Sequence, residues 1–400
     1  MHDVRPGEIQ KGSKEYTNII IALFIAGFTI FSILYSVQPL IPAFSRHFHV
    51  NETWASIPLS IATLTLAIAM LFFGAISEVV GRKPIMFFSV ISVSLLAIVQ
   101  PFIDNFNVFL ALRFIQGICL AGLPSIAMAY IGEEISEISL PQAMGTYISG
   151  NAFGGAFGRV FTGFIASLFG YKVGMIAVGV ISLVAAVLFI FLLPSSRNFT
   201  KQRFHLGELL RSYGQHLRNP RLLKPFMLGF LLLGCNVAAF NYISFELESA
   251  PYHVHKGLIS FIYLLFLLGM LSSMLNAKLR AKLGTLRALK LSLITLMVGI
   301  WITLLPFIIF KILGLAFTIY AFFSGHAIAS AVVTSRAEHN KAQASSLYLL
   351  FYYIGSSVGG TLAGYFYSLL HWPGVALMIT IFMVISLVIA MTIRKNKDIR

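Results

Sequence analysis

Twelve apolar stretches of membrane-crossing length fill most of this 400-residue chain, in two runs of six either side of a basic segment from Ser195 to Lys224. About 20 consecutive apolar residues cross a bilayer as a helix, because in lipid a backbone must satisfy its own hydrogen bonds and only a helix or a closed barrel does so. The spans read from the sequence are 18–42, 55–76, 84–103, 107–131, 143–168, 172–194, 225–246, 258–276, 288–308, 312–334, 344–369 and 374–393. The expected fold class is an all-α polytopic membrane protein with 12 transmembrane helices. Its domains are a six-helix bundle over 1–194, a basic cytoplasmic linker over 195–224 and a second six-helix bundle over 225–400.

The charges say which way the chain runs. With both termini cytoplasmic, only Arg46, Lys172, Lys256 and Lys311 lie outside, Arg113 and Arg159 sit within helices, and the other 23 of the 29 Lys and Arg fall inside. That asymmetry is the positive-inside rule, in which carboxylates weigh little, so the inside cluster Glu133, Glu134 and Glu137 does not disturb it. A net charge of +15 is therefore a topology signal and not a nucleic-acid footprint. The first apolar run is too long for a signal-peptide core and is expected to be retained. Cys119 and Cys235 both fall in spans, as small packing residues. The expected location is a bacterial inner or plasma membrane, with a small-molecule substrate and the lipid bilayer as partners, no obligate protein partner and a monomeric state.

The two halves look like repeats. A shift of 205 residues lays Gly150, Gly154, Gly155 and Gly158 of the fifth span over Gly355, Gly359, Gly360 and Ala363 of the eleventh, and Gly81 and Arg82 fall close to Gly284 and Arg287. A parallel duplication of a six-helix unit, giving two pseudo-symmetric bundles, is an organisation of transporters whose substrate site lies between halves. Within the linker, the helix-compatible run Leu206–Leu217 fits a helix along the membrane surface.

Gly74-Ala-Ile-Ser-Glu78-Val-Val-Gly81-Arg82-Lys83, between the second and third spans, resembles the cytoplasmic signature of the major facilitator superfamily (MFS). The resemblance implies that Glu78 docks near the N-terminal end of the eleventh helix, where the helix dipole favours an anion. Glu78 stands where the signature usually has Asp. Arg113-Phe-Ile-Gln116-Gly117 resembles a second superfamily motif, in which an intramembrane arginine assists proton coupling; the other reading of Arg113 is snorkelling to the outer surface. Gly145, Gly154, Gly158, Arg159 and Thr162-Gly163 resemble the antiporter motif of drug exporters, with Arg159 in place of its proline. Small residues four apart share a helix face and let a neighbour approach closely. Together with Tyr35-Ser-Val-Gln38-Pro39, Asn241-Tyr242-Ile243, His326-Ala-Ile-Ala-Ser330 and Ser346-Leu-Tyr348-Leu-Leu-Phe-Tyr352-Tyr353, this pattern is similar to the YnfM-type branch of bacterial exporters.

Gln38, Gln116, Asn151, Asn236, Asn241 and His326 are the remaining in-span polar groups, each a cavity residue or an interhelical hydrogen bond. His326 lies near the middle of its span and titrates, so it is a proton carrier or a buried neutral ring. No carboxylate lies deep in a span: Glu246 and Glu248 sit at the outer end of the seventh. Gly355-Ser-Ser357-Val-Gly359 matches a nucleophile-elbow pattern but lies inside an apolar helix, so no catalytic residue is assigned. The histidines have no metal-ligand spacing and the chain has no phosphate loop. The reading is a secondary transporter, not an enzyme, that exports small organic solutes or drugs by proton antiport through alternating access. It needs no cofactor beyond a proton gradient. Candidate substrate or coupling residues are Gln38, Arg113, Gln116, Arg159, Asn241 and His326. Gly74, Glu78, Gly81, Arg82 and Lys83 form the gate motif, and Gly145, Gly154, Gly158, Gly163, Gly355 and Gly359 the packing glycines. Alternatives are a proton symporter or uniporter taking up a small organic solute, an anion included, and, from another class, a membrane-embedded enzyme or sensory scaffold.

Overall fold

A computed structural model describes residues 9–201 and 206–393. Arg5, Arg203, Arg394, Lys395, Lys397 and Arg400, which contribute to the charge asymmetry, lie outside the described residues. Among the described residues the chain is helical with no strand, apart from one isolated bridge between Ile9 and Ile135. The helices before the linker are α1 (Lys14–Ser36), α2 (Ile41–Phe48), α3 (Glu52–Val80), α4 (Arg82–Val99), α5 (Phe106–Glu134), α6 (Leu140–Phe169) and α7 (Tyr171–Leu192). After them come α8 (Leu206–Leu217), α9 (Pro220–Glu248), α10 (Lys256–Ser260), α11 (Leu268–Leu283), α12 (Thr285–Ile302), α13 (Ile308–Arg336) and α14 (Lys341–Thr392).

Among the described residues ten helical segments are long and apolar enough to cross a membrane. One of them, α14, has 52 residues, and at 1.5 Å per residue a continuous helix would run about 78 Å through a hydrocarbon core of about 30 Å. It breaks at His371 (φ 53°, ψ −142°), so the spans read at 344–369 and 374–393 fall either side of the break. The span read at 258–276 is wound in pieces: α10, a 3-10 stretch over Phe261–Leu267, then α11. No proline or glycine in that stretch accounts for the tighter winding. The first span is interrupted for a clear reason. Pro39 and Pro42 lack the N–H that a helix interior needs, and the chain passes through a 3-10 turn at Gln38–Leu40 before α2 begins.

Contacts divide the chain into two units, the described residues of Met1–Leu40 with Ile68–His205 and those of Ile41–Ala67 with Leu206–Arg400. In the first unit α6 lies on α1 through a ladder of glycines. A Cβ added at Gly150, Gly154 or Gly158 would run into the backbone of Phe24, Phe28 or Ser32, and Ser32 Oγ donates to the Gly154 carbonyl at 3.0 Å. In the second unit the same device joins α14 to α9, where Gly355 and Gly359 meet the backbone of Phe230 and Gly234. In lipid, where apolar burial gives helices no reason to associate, such close van der Waals packing supplies the attraction. Gly163 is also buried on α6, whereas Gly145 faces open space. The turns into α4 and α12 repeat as well. Gly81 (φ 110°) and Gly284 (φ 79°) stand at the two N-caps in a region that a side chain disfavours.

The second unit also holds the N-terminal part of α3, up to Ala67. Thr361 Oγ1 donates to Ser60 Oγ at 3.1 Å, Ser60 Oγ to the Ser357 carbonyl at 3.3 Å, and Arg46 on α2 pairs with Glu248 at 2.9 Å.

In the linker, α8 covers the run that the sequence marks as helical. Ser212, Tyr213 and His216 are buried at helical spacing while Glu208 and Arg211 are exposed. Asn340 fixes this face: its Nδ2 donates to Ser212 Oγ at 3.0 Å, its carbonyl lies 3.3 Å from His216 Nε2, and the His216 and His339 rings stack at 5.2 Å. Burial holds the His216 imidazole below its ordinary value of 6.5, and His339 pushes the same way against the Asn340 carbonyl. Because the folded imidazole binds its proton less readily than a free one, docking of α8 is fully stable above pH 6.5. It weakens as pH falls through that value toward the lowered one. Hydrogen exchange over 206–217, corrected for intrinsic rates, should therefore quicken between pH 7.5 and 5.5 in the wild type and lose this pH dependence in His216→Gln.

Candidate functional site

The signature between α3 and α4 folds as a charge clamp within the first unit. Arg82 is buried at the first position of α4, and its Nη2 meets Glu133 Oε1 from the end of α5 at 2.6 Å. Its Nη1 reaches Ser77 Oγ and the Gly74 carbonyl. Gly74 thus serves through its carbonyl and Gly81 through its φ. Lys83 donates to the Leu193 carbonyl at 2.6 Å, past the end of α7. Glu78 is half-buried near the end of α3, and its side chain has no hydrogen bond or ion pair with another described residue. The acidic cluster has a use that charge counting misses: Glu134 accepts the backbone N–H of Arg197 (2.8 Å) and Asn198 (3.1 Å), anchoring the start of the linker. Arg197 in turn pairs with Glu15 on α1.

Two buried guanidinium groups lie further into the first unit. Arg113, 1% exposed, turns inward: Nη1 donates to Gln116 Oε1 and Nη2 lies 3.5 Å from the Leu34 carbonyl. Gln116 extends this network to the Val93 carbonyl and accepts from Gln100 Nε2, both at 3.0 Å. Arg159 stacks on Tyr35, with Cζ 3.7 Å from the ring centroid, and donates to Gln38 Oε1 and to the Gly155 carbonyl. Gln38 opens the 3-10 turn just past the end of α1, so the Tyr35-Ser-Val-Gln38-Pro39 motif and Arg159 form one constellation. The Tyr35 ring and the Gln38 and Gly155 acceptors fix the position of the guanidinium.

The second unit brings the other motifs together. His326 on α13 has Nδ1 2.9 Å from the Tyr348 hydroxyl on α14, and that hydroxyl also lies 3.3 Å from the His326 carbonyl. The imidazole packs between the rings of Phe322, Tyr348 and Tyr352, the last at 4.5 Å. On α9, Asn241 is buried beside Gly360, and Tyr242 donates to the Gly360 carbonyl at 3.0 Å. Asn236 Nδ2 is buried on the same helix without a hydrogen-bond partner among the described residues, while Asn151 Oδ1 lies against Gly27 in the first unit.

One pair escapes a reading by hydropathy. Lys311, counted as an outside charge, is 2% exposed on α13 and meets Glu246 of α9 at 2.8 Å, with the Trp372 and Tyr252 rings each 5.2 Å from its ammonium. Trp372 Nε1 is in turn held by Thr303 Oγ1 at 2.9 Å. A cation on the side that the positive-inside rule depletes is a weak signal of such pairing. Among the described residues no group of His, Cys, Asp and Glu is arranged to hold a metal ion.

Comparison with known proteins places this geometry. The family model of the Major Facilitator Superfamily matches residues 23–337. The chain is 48% identical to the MFS-type transporter YybF of Bacillus subtilis over 95% of this chain and 94% of that one. It is 34% identical to the inner membrane transport protein YnfM of Escherichia coli, over 97% and 93%. Among solved structures it resembles the nucleoside transporter NupG (TM-score 0.75, 14% identity, 94% of this chain and 100% of that one). It also resembles a D-xylose-proton symporter (TM-score 0.73, 13% identity, 97% and 99%). At those identities the structural likeness is one of fold alone. The chain is a multi-pass membrane transporter, not an enzyme, and it belongs to the Major Facilitator Superfamily.

Proposed function

We propose that this transporter exports small organic solutes across a bacterial plasma membrane in exchange for protons, by alternating access, as a monomer with both termini cytoplasmic and the proton gradient as its only driving force. The observation that carries the proposal is the double reach of the Tyr348 hydroxyl. When His326 is neutral with Nδ1 bare, Tyr348 donates to Nδ1; when Nδ1 is protonated, the ring donates to the Tyr348 oxygen and the hydroxyl proton turns to the His326 carbonyl. Nδ1 and the Tyr348 hydroxyl thus stay paired in either charge state of the ring, and the faces of Tyr352 and Phe322 favour the cation when it forms. Arg113 and Arg159 favour a second reading, uptake of an anionic solute by symport, because both are cations buried within the first unit.

The driving force is tested in proteoliposomes carrying this chain alone. The solute is chosen as the one that most raises the protein's thermal transition in a panel of organic anions, cations and sugars. A protonophore should collapse its accumulation and removal of sodium should not; accumulation that survives the protonophore and requires sodium rejects proton coupling. Orientation has its own test in a background without Cys119 and Cys235. A cysteine at exposed Gln215 on α8 should be shielded from an impermeant thiol reagent in intact cells, and one at exposed Asn51 should react. Ser212 is a poor site for this purpose, because it is buried against Asn340.

A further inference from the structure

A cavity of about 380 Å³ opens in the first unit beside the signature turn, between the start of α4 and the chain that follows α7. Its floor and walls include Phe87 and Phe199, and its polar groups are Arg82, Lys83, Ser195 and Ser196. These groups are unequal. Arg82 is committed to Glu133 and has its guanidinium 5.6 Å from the Phe199 centroid. Lys83 uses one of its three N–H donors on the Leu193 carbonyl and lies 5.0 Å from the Phe87 centroid, so two donors and the whole positive charge remain for another partner. Ser196 Oγ is buried with no hydrogen-bond partner among the described residues, which costs free energy unless a ligand or water meets it.

The level of the cavity narrows the choice of ligand. α4 begins a membrane-crossing segment at Arg82 and α7 ends one at Leu192, so the cavity lies where two spans leave the hydrocarbon. Lipid phosphates occupy that depth, and basic pockets between helices on the cytoplasmic side select anionic head groups. The apolar walls suit a lipid's glycerol and first methylenes better than a fully hydrated ion, and the volume falls at the small end of the range of about 300–1,000 Å³ typical of ligand sites.

We propose that this cavity binds the head group of an anionic phospholipid, its phosphate taken by Lys83 Nζ and the Ser195 and Ser196 hydroxyls, and its glycerol laid against Phe87 and Phe199. A lipid held there ties the signature turn to the anchored start of the linker, since Arg82 and Ser196 share its wall. The proposal is independent of what the transporter carries and in which direction.

The test uses the purified full chain in dodecyl maltoside, titrated with dioleoyl phosphatidylglycerol, dioleoyl phosphatidylcholine or inorganic phosphate. Bound lipid is counted by native mass spectrometry, and stabilisation is followed by thermal unfolding. Phosphatidylglycerol should bind saturably and raise the transition more than either of the others. Lys83→Gln should weaken its binding about tenfold, as expected for a lost charge-assisted contact. Ser196→Ala should weaken it by about threefold. Lys83→Arg should retain most of the affinity, and Lys201→Gln, an equal loss of charge at an exposed linker position, should leave it unchanged. If Lys83→Gln is already altered without lipid, in elution or in thermal transition, Ser196→Ala decides. Equal phosphatidylglycerol affinity in wild type and in the deciding variant overturns the site, as does equal stabilisation by phosphatidylcholine or inorganic phosphate.

Discussion

Gly158→Leu should both destabilise this transporter and stop transport, although leucine is better suited than glycine to lipid. The α-hydrogen of Gly158 faces the Ser32 backbone on α1, and even a methyl group there has no room unless the two helices separate. Overpacking of a core costs about 1–3 kcal/mol where side chains can give way. Here the obstacle is main chain flanked by the equally tight Gly154 and Gly150, so the cost should exceed about 3 kcal/mol. Gly145→Leu, on the same helix but facing open space, should not destabilise the protein, since glycine costs a helix interior about 0.8–1 kcal/mol relative to the best helix formers. Thermal unfolding of both variants in detergent, with solute flux in proteoliposomes, makes the comparison. A Gly158→Leu protein as stable and active as Gly145→Leu would mean that α6 does not lie against α1.

His326→Gln should separate exchange from accumulation. Glutamine can keep a hydrogen bond to Tyr348 but cannot take a proton, so solute counterflow should persist within about threefold of the wild type while a pH gradient no longer drives accumulation. Tyr348→Phe removes the hydroxyl that serves both charge states of the ring and should impair the same coupled step. Full pH-driven accumulation in His326→Gln would return this histidine to a packing role and leave Arg113 as the coupling candidate.

The sequence carries the helical fold because each span repeats the same demand on its backbone. The shared glycine spacing in spans five and eleven also marks two helices that each lie on the first helix of their half. Breaks within spans are less legible. Pro39 and Pro42 announce one, but the 3-10 stretch at Phe261–Leu267 has no such marker, and α14 breaks at His371 through a positive φ with no glycine there to mark it. At the candidate site, motifs identify residues without their partners. Tyr35 and Gln38 meet Arg159 only once α6 lies on α1, and His326 meets Tyr348 only once α13 lies beside α14. Lys311 and Glu246 are harder still, since hydropathy and charge counting treat both as surface groups. Their pairing between two aromatic rings is a property of tertiary packing alone.

Proton exchange is the central claim, and its most direct measurement is the movement of protons when solute is added in the absence of any imposed gradient. Proteoliposomes holding this chain alone are loaded with a pH-sensitive dye, and the stabilising solute is supplied outside. Antiport requires protons to leave as solute enters, so the lumen should become alkaline at a rate proportional to solute flux, and His326→Gln should abolish the signal while counterflow continues. Acidification of the lumen on solute entry would establish symport, and solute flux with no change in lumen pH would contradict proton coupling altogether.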